Sequence, residues 1–262
     1  MRRERGRINS ATDLQGAANP LRNPFAYAVG YQSLEIQGGA KYSIFCPTFD
    51  AVTGKFTLGD IEVIGQDGKE YDHADKYHAI GSGKLAVYRL KDGALKMGSQ
   101  LPYVSTKTGG VPKKWGDNKD VEFESGEGVV VYNGLSNLFF RVAGQVVLEP
   151  MYCIPGGQYS IFGNNTPNQM TLGDIGVYGQ DGKEYDHADK YHAIGSGKLA
   201  VYKLKDNALK VGTQLPYVST KSGGVPKKWG DNKTVTLDPG ESVIVYNGLT
   251  NLYFRLKSPI SK

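Results

Sequence analysis

A chain of 262 residues with 39% hydrophobic and 22% charged residues is a folded polypeptide rather than a disordered one, and 35 glycines, 17 tyrosines and 12 prolines make it turn-rich. The formal net charge of +5 is too small to make the body of the protein a nucleic-acid-binding surface, and no apolar run approaches the roughly 18 residues a membrane helix requires.

Residues 1–24 read as a basic N-terminal arm. Arg2, Arg3, Arg5, Arg7 and Arg22 outnumber Glu4 and Asp13, and without residues 1–22 the charge falls to about +2. Such an arm suits a phosphate backbone or a neighbouring subunit as its partner. It lacks the apolar segment of a secretory signal, so none is read here. The compartment stays open, with a virion or an extracellular assembly as the expectation.

From residue 25 the signals are β. "YAVGYQSLEI", "KYSIFCPTF", "LGDIEVIG" and "KLAVYRL" are short runs rich in Val, Ile, Tyr and Phe, bounded by Gly, Asp, Asn or Pro. No long window has helical periodicity; at most one turn fits "HADKYHAIG". That last stretch lies within "QDGKEYDHADKYHAIGSGKLAVY", Gln66–Tyr88, which recurs letter for letter at Gln180–Tyr202 and holds every histidine of the chain. Asp72, His73, Asp75 and His78, with Asp186, His187, Asp189 and His192, are the ligand types a divalent metal such as zinc takes. The HxxxxH spacing is no familiar zinc pattern, and neither a calcium loop, a phosphate-binding loop nor a nucleophile elbow is matched. No cofactor is expected.

Further along, "GGVPKKWGDN" occurs at Gly109–Asn118 and Gly223–Asn232. Trp115 and Trp229, beside Lys113, Lys114, Lys227 and Lys228 and near Tyr103 and Tyr217, are candidates for an aromatic ligand platform; the alternative is that each Trp plugs the open end of its unit with the lysines around it. The stretches "VEFESGEGVVVYNG" and "NLFFRVAGQVVLE" complete the first set of strands, and the second of these ends one unit and begins the next.

Sliding the chain by 114 positions places Thr57–Val142 on Thr171–Leu256 with about 69 of 86 positions identical, so the chain is a tandem duplication. The expected units are residues 25–140 and 141–262. From Gln66 to Lys119 only about five of 54 positions differ, and the change at Gly93, to Asn207, is the one that is not conservative. Cys46 and Cys153 are not at matching positions, so two unlinked, buried thiols are expected rather than a disulfide framework.

Six to eight short strands in each unit predict an all-β protein of two tandem antiparallel, jelly-roll-like β-sandwiches behind an arm. In organisation, and in no specific motif, this resembles the double-jelly-roll major capsid proteins of tailless viruses. Tandem β-sandwich units also look like tail, decoration and bacterial surface-filament proteins. The function expected is a non-enzymatic, self-assembling structural protein, a virion coat or filament subunit that takes itself as partner and reaches nucleic acid through the arm. The alternative is a bivalent carbohydrate-binding module built on the Trp and Tyr loops, in which two sites raise avidity.

Overall fold

The computed structural model describes residues 29–47, 55–71, 80, 83–105, 113–123, 127–145, 151–164, 166, 168–185, 197–219 and 227–256. The five arginines of the arm and all eight candidate metal ligands, from Asp72 to His78 and from Asp186 to His192, lie outside these residues. The protein is all-β. Seven main strands come first: β1 (Val29–Ile36), β2 (Lys41–Phe45), β3 (Glu62–Ile64), β4 (Leu85–Leu90), β5 (Met97–Pro102), β6 (Val129–Asn133) and β7 (Leu138–Gln145). Their counterparts follow in the same order: β8 (Met151–Ile154), β9 (Gln158–Gly163), β10 (Ile175–Tyr178), β11 (Leu199–Leu204), β12 (Val211–Pro216), β13 (Ser242–Asn247) and β14 (Leu252–Leu256).

Each set forms a three-stranded and a four-stranded antiparallel sheet. The orders are β1-β7-β3 and β2-β6-β4-β5 in the first set, and β8-β14-β10 and β9-β13-β11-β12 in the second. Strand β7 pairs with β1 along its whole length, from Leu138 opposite Ile36 to Gln145 opposite Val29. Residues 141–145 therefore pair within the first set of strands. Ile36 faces Leu138 as Ile154 faces Leu252, which makes Cys153 the counterpart of Glu35.

Alternation along the strands explains which side faces the core. In β7, Leu138, Phe140 and Val142 point inward while Phe139, Arg141 and Ala143 point away, the period of two that a half-buried strand requires. Ile36, Phe45, Val63, Leu85, Val87, Val129, Val131 and Phe140 come from both sheets of the first set and share one core; Ile154, Phe162, Val177, Leu199, Val201, Val243, Val245 and Phe254 do the same in the second.

The central strands of the four-stranded sheets do not alternate in this way, because both of their faces are covered. Val129, Val130 and Val131 are all buried, as are Val243, Ile244 and Val245. The outward members form a third cluster joining the two sets: Ile44 and Val130 from the first pack with Ile161, Ala200, Tyr202 and Ile244 from the second. Continuous apolar runs such as "VVVY" and "VIVY" are how a strand buried on both faces reads. The four-stranded sheets thus meet in the middle and the three-stranded sheets lie outside.

Candidate functional surfaces

The repeated Trp loops are built from the sheet ends inward. Trp115 and Trp229 are 0% exposed, and each indole N–H donates to a backbone carbonyl, that of Ile61 at 3.0 Å and that of Ile175 at 3.3 Å. Tyr103 and Tyr217 are equally buried, stand edge-on to the indoles with ring centroids 5.0 Å apart, and donate their hydroxyls to the carbonyls of Tyr71 and Tyr185. Phe140 and Phe254 complete each trio at 6.0 and 6.1 Å from the indole. Both tryptophans hold φ near +57°, a left-handed conformation that costs a non-glycine residue about 1–3 kcal/mol and persists only where the surroundings enforce it.

This corrects the aromatic-platform expectation. A sugar or base stacks on an exposed ring face, and neither indole has one. Around the plug, Lys114 pairs with Glu70 at 2.5 Å and Lys228 with Glu184 at 2.7 Å, while Lys227 is exposed and Lys113 contributes a backbone pairing opposite Ser105. In sequence, Glu70 and Tyr71 immediately precede Asp72 and His73. Among the described residues no group of three or more His, Cys, Asp or Glu side chains is placed to hold a metal.

The cysteine expectation holds for one thiol and fails for the other. Cys46 is buried and Cys153 is exposed, and neither forms a disulfide. Burial pushes the Cys46 thiol up to about 12, against a hydrogen bond from the Gly163 backbone N–H that lowers it; Glu127 adds a smaller upward push.

The sequence reading missed the surface between the two sets of strands. Tyr42 and Tyr88 line it on one side and Tyr159, Tyr202 and Tyr246 on the other, all part of the shared apolar cluster or packed on it, and Tyr132 stands beside Tyr42. Tyr42 and Tyr132 lie 5.2 Å apart between ring centroids, and Tyr159 and Tyr246 lie 4.9 Å apart. Gln100 and Gln214 each donate to the hydroxyl of Tyr88 and Tyr202 at 2.8 Å. Burial raises both of these hydroxyl pKa values, the amide bonds lower them, and the neighbouring tyrosines add to the rise. The continuous apolar runs of β6 and β13 were the signal that something covers this face.

Equivalent residues meet across it, as in an interface between two copies related by a twofold axis. The departures from that symmetry sit where a symmetric pair would collide. Gly93 lies against the side chain of Gln158, whereas its counterpart Asn207 accepts a bond from the Tyr42 N–H at 2.7 Å and reaches Gln37. Gly128, replaced by Ser242 in the second copy, lies against Ile161. Beside these contacts a cleft of about 400 Å³ opens, lined by Arg89, Glu127, Cys153, Gln158, Ser160 and Ile161 among others. Arg89 is held by Glu127 at 2.7 Å, and the buried hydroxyl of Ser160 has no hydrogen-bond partner among the described residues.

Asn133 and Asn247 are further residues that sequence reasoning missed. Each is fully buried and satisfied: the amide donates to Ile36 and Ser136 carbonyls, or to those of Ile154 and Thr250, and the carbonyl accepts from Leu135 or Leu249 N–H. They brace the turn that joins the two sheets of each set.

No protein-family model matches the sequence, and comparison with curated proteins finds no match.

Proposed function

We propose that the chain is a non-enzymatic structural subunit that assembles with copies of itself, in the manner of a virion coat or filament protein, and that each of its halves is a jelly roll. The strand order supports the second point. In a jelly roll antiparallel pairs are nested, first strand with last and second with the one before last, and wrapped into two sheets. Here β1 pairs with β7, β2 with β6 and β4 with β5, while β3 joins β7 and β6 joins β4; the second set repeats the scheme. The third nested pair is reduced to β3, whose outer edge carries a bridge from Ile64 to Glu70.

One observation carries the assembly reading: the two copies bury an interface of equivalent residues against each other, and so present their remaining surfaces as a fixed pair of related blocks. Repeated, rigidly related surfaces are what a ring, sheet or filament is built from. The side chains that carried the glycan alternative, Trp115 and Trp229 with Tyr103 and Tyr217, are spent on packing each block. The arm, with Arg2, Arg3, Arg5, Arg7 and Arg22, takes nucleic acid as its partner in this reading.

Light scattering on the purified chain, with and without nuclease, followed by negative-stain microscopy, tests both parts. Regular particles or filaments far above 28.5 kDa are expected, with a mass change on nuclease treatment if the arm holds nucleic acid. A monodisperse 28.5 kDa species across concentration and salt overturns the assembly reading.

A further inference from the structure

The two sides of the contact between the halves are filled differently, and the difference falls on one backbone donor. Strand β9 lies at the edge of its sheet, so alternate N–H groups point away from β13. The Asn164 N–H bonds to the Glu241 carbonyl across this pair, which places Ser160 and Phe162 among the residues bonded to β13 and turns Tyr159, Ile161 and Gly163 outward. The Gly163 N–H accordingly reaches the Cys46 sulfur. Strand β2 has the same register in the first copy, with Tyr42 opposite Tyr132 as Tyr159 is opposite Tyr246.

Tyr42 and Tyr159 thus offer equivalent outward N–H groups, which meet different fates. That of Tyr42 donates to the Asn207 carbonyl at 2.7 Å, in a turn of the other copy. Tyr159 and Gly93, the counterparts of Tyr42 and Asn207, instead both line the cleft of about 400 Å³, and the Tyr159 N–H has no partner among the described residues. A backbone donor at an open cleft is free to bond an acceptor that enters it. Leu90, Pro155 and Ile161 give the cleft apolar walls, and Ser160, next in the strand, brings a buried hydroxyl that also has no partner among the described residues. The walls come from both halves, a setting that small-molecule sites favour.

We infer that this cleft binds a small molecule bearing an amide carbonyl, whose oxygen accepts from the Tyr159 N–H while an apolar body lies against Leu90, Pro155 and Ile161. The acceptor is assigned by the other side of the molecule, where an amide carbonyl, that of Asn207, already meets the equivalent donor. There Asn207 spans the equivalent space, its carbonyl on Tyr42 and its side-chain amide on Gln37, the counterpart of Pro155. The chain therefore carries one such site, on the side where glycine stands in place of asparagine. This site goes beyond the assembly reading and does not depend on it.

The full chain tests it with N-acetyl-leucinamide, which joins amide carbonyls to an apolar body. In the free chain the Tyr159 N–H should exchange with solvent at least about ten-fold faster than the Tyr42 N–H, followed by amide NMR. The exposed Cys153 thiol also lines the cleft and reports on its occupancy. Saturating probe should slow both Tyr159 exchange and Cys153 alkylation about three-fold or more, leaving Tyr42 unchanged. A control thiol at the equivalent place on the other side, Glu35→Cys in a Cys153→Ser chain, should alkylate at the same rate with and without probe. Isoamyl alcohol, which has the apolar body and no carbonyl, should need about ten-fold more to protect Cys153 equally. Equal protection of Tyr42 and Tyr159 in the free chain, Cys153 alkylation that the probe does not slow, or equal slowing of the control thiol each overturns the site. Protection by the alcohol at the same concentration overturns the carbonyl assignment.

Discussion

Cys46 packs against Gly163, the residue that occupies its own place in the second copy. A Cβ on Gly163 would lie 2.7 Å from the Cβ of Cys46 and 3.0 Å from the Ser242 hydroxyl, while the Gly163 N–H donates to the Cys46 sulfur. A position that meets its own counterpart lies close to the axis relating the copies, and only one of the two can carry a side chain there.

Gly163→Ala should therefore destabilise the protein by about 1–3 kcal/mol through overpacking, measured by denaturant unfolding. Adding Cys46→Gly should recover part of the loss, whereas Cys46→Ser, which keeps the Cβ, should not. A G163A chain as stable as wild type would show that these backbones do not approach as described.

The same logic applies at Gly93. Converting it to the residue its counterpart already uses, Gly93→Asn, drives a side chain into Gln158 at a φ of +64°. A loss of about 1–2 kcal/mol is expected, with G93N and Gln158→Ala coupled in a double-mutant cycle. Strict additivity would mean that the two side chains do not meet.

Both tryptophans should fluoresce as buried indoles, resist quenching by acrylamide until the protein unfolds, and be indifferent to added oligosaccharides. Trp115→Phe leaves the Ile61 carbonyl without its donor and should cost about 1–3 kcal/mol. Ready quenching of the native protein would reinstate an exposed ring.

Thiol chemistry separates the cysteines. Native protein at pH 8 should give one thiol per chain with a disulfide reagent, Cys153, and two when denatured. The folded value for Cys46 stands near 12 against an ordinary 9.0, so the unfolded chain releases that proton first as pH rises. Stability from this group is complete below about pH 9 and declines toward pH 12, and the raised values of Tyr88 and Tyr202 act in the same direction. The melting temperature should fall through this window, less steeply in Cys46→Ala. An equal slope in that variant would remove Cys46 from the account.

The duplication, the all-β class and most strand positions were legible because they depend on identity along the chain and on local alternation, both of which a string of letters records. The fate of Trp115 was not. A Trp between two lysines and a Gly-Asp-Asn turn reads equally as a surface platform or a plug, and its burial depends on Tyr103, Ile61 and Phe140, which reach it from other parts of the chain. The roles of Gly93, Gly128 and Gly163 were hidden for the same reason, since each is explained by a residue in the other copy.

By itself, then, the sequence determined that one β unit occurs twice, where its strands run and that a segment rich in arginine precedes them. The tertiary structure alone decided which face of each unit is turned to the other and which is left outside. Period two tells a strand that it has two sides, and a continuous apolar run tells it that both are covered, but the partner on the far side is chosen by shape and charge between surfaces distant in sequence.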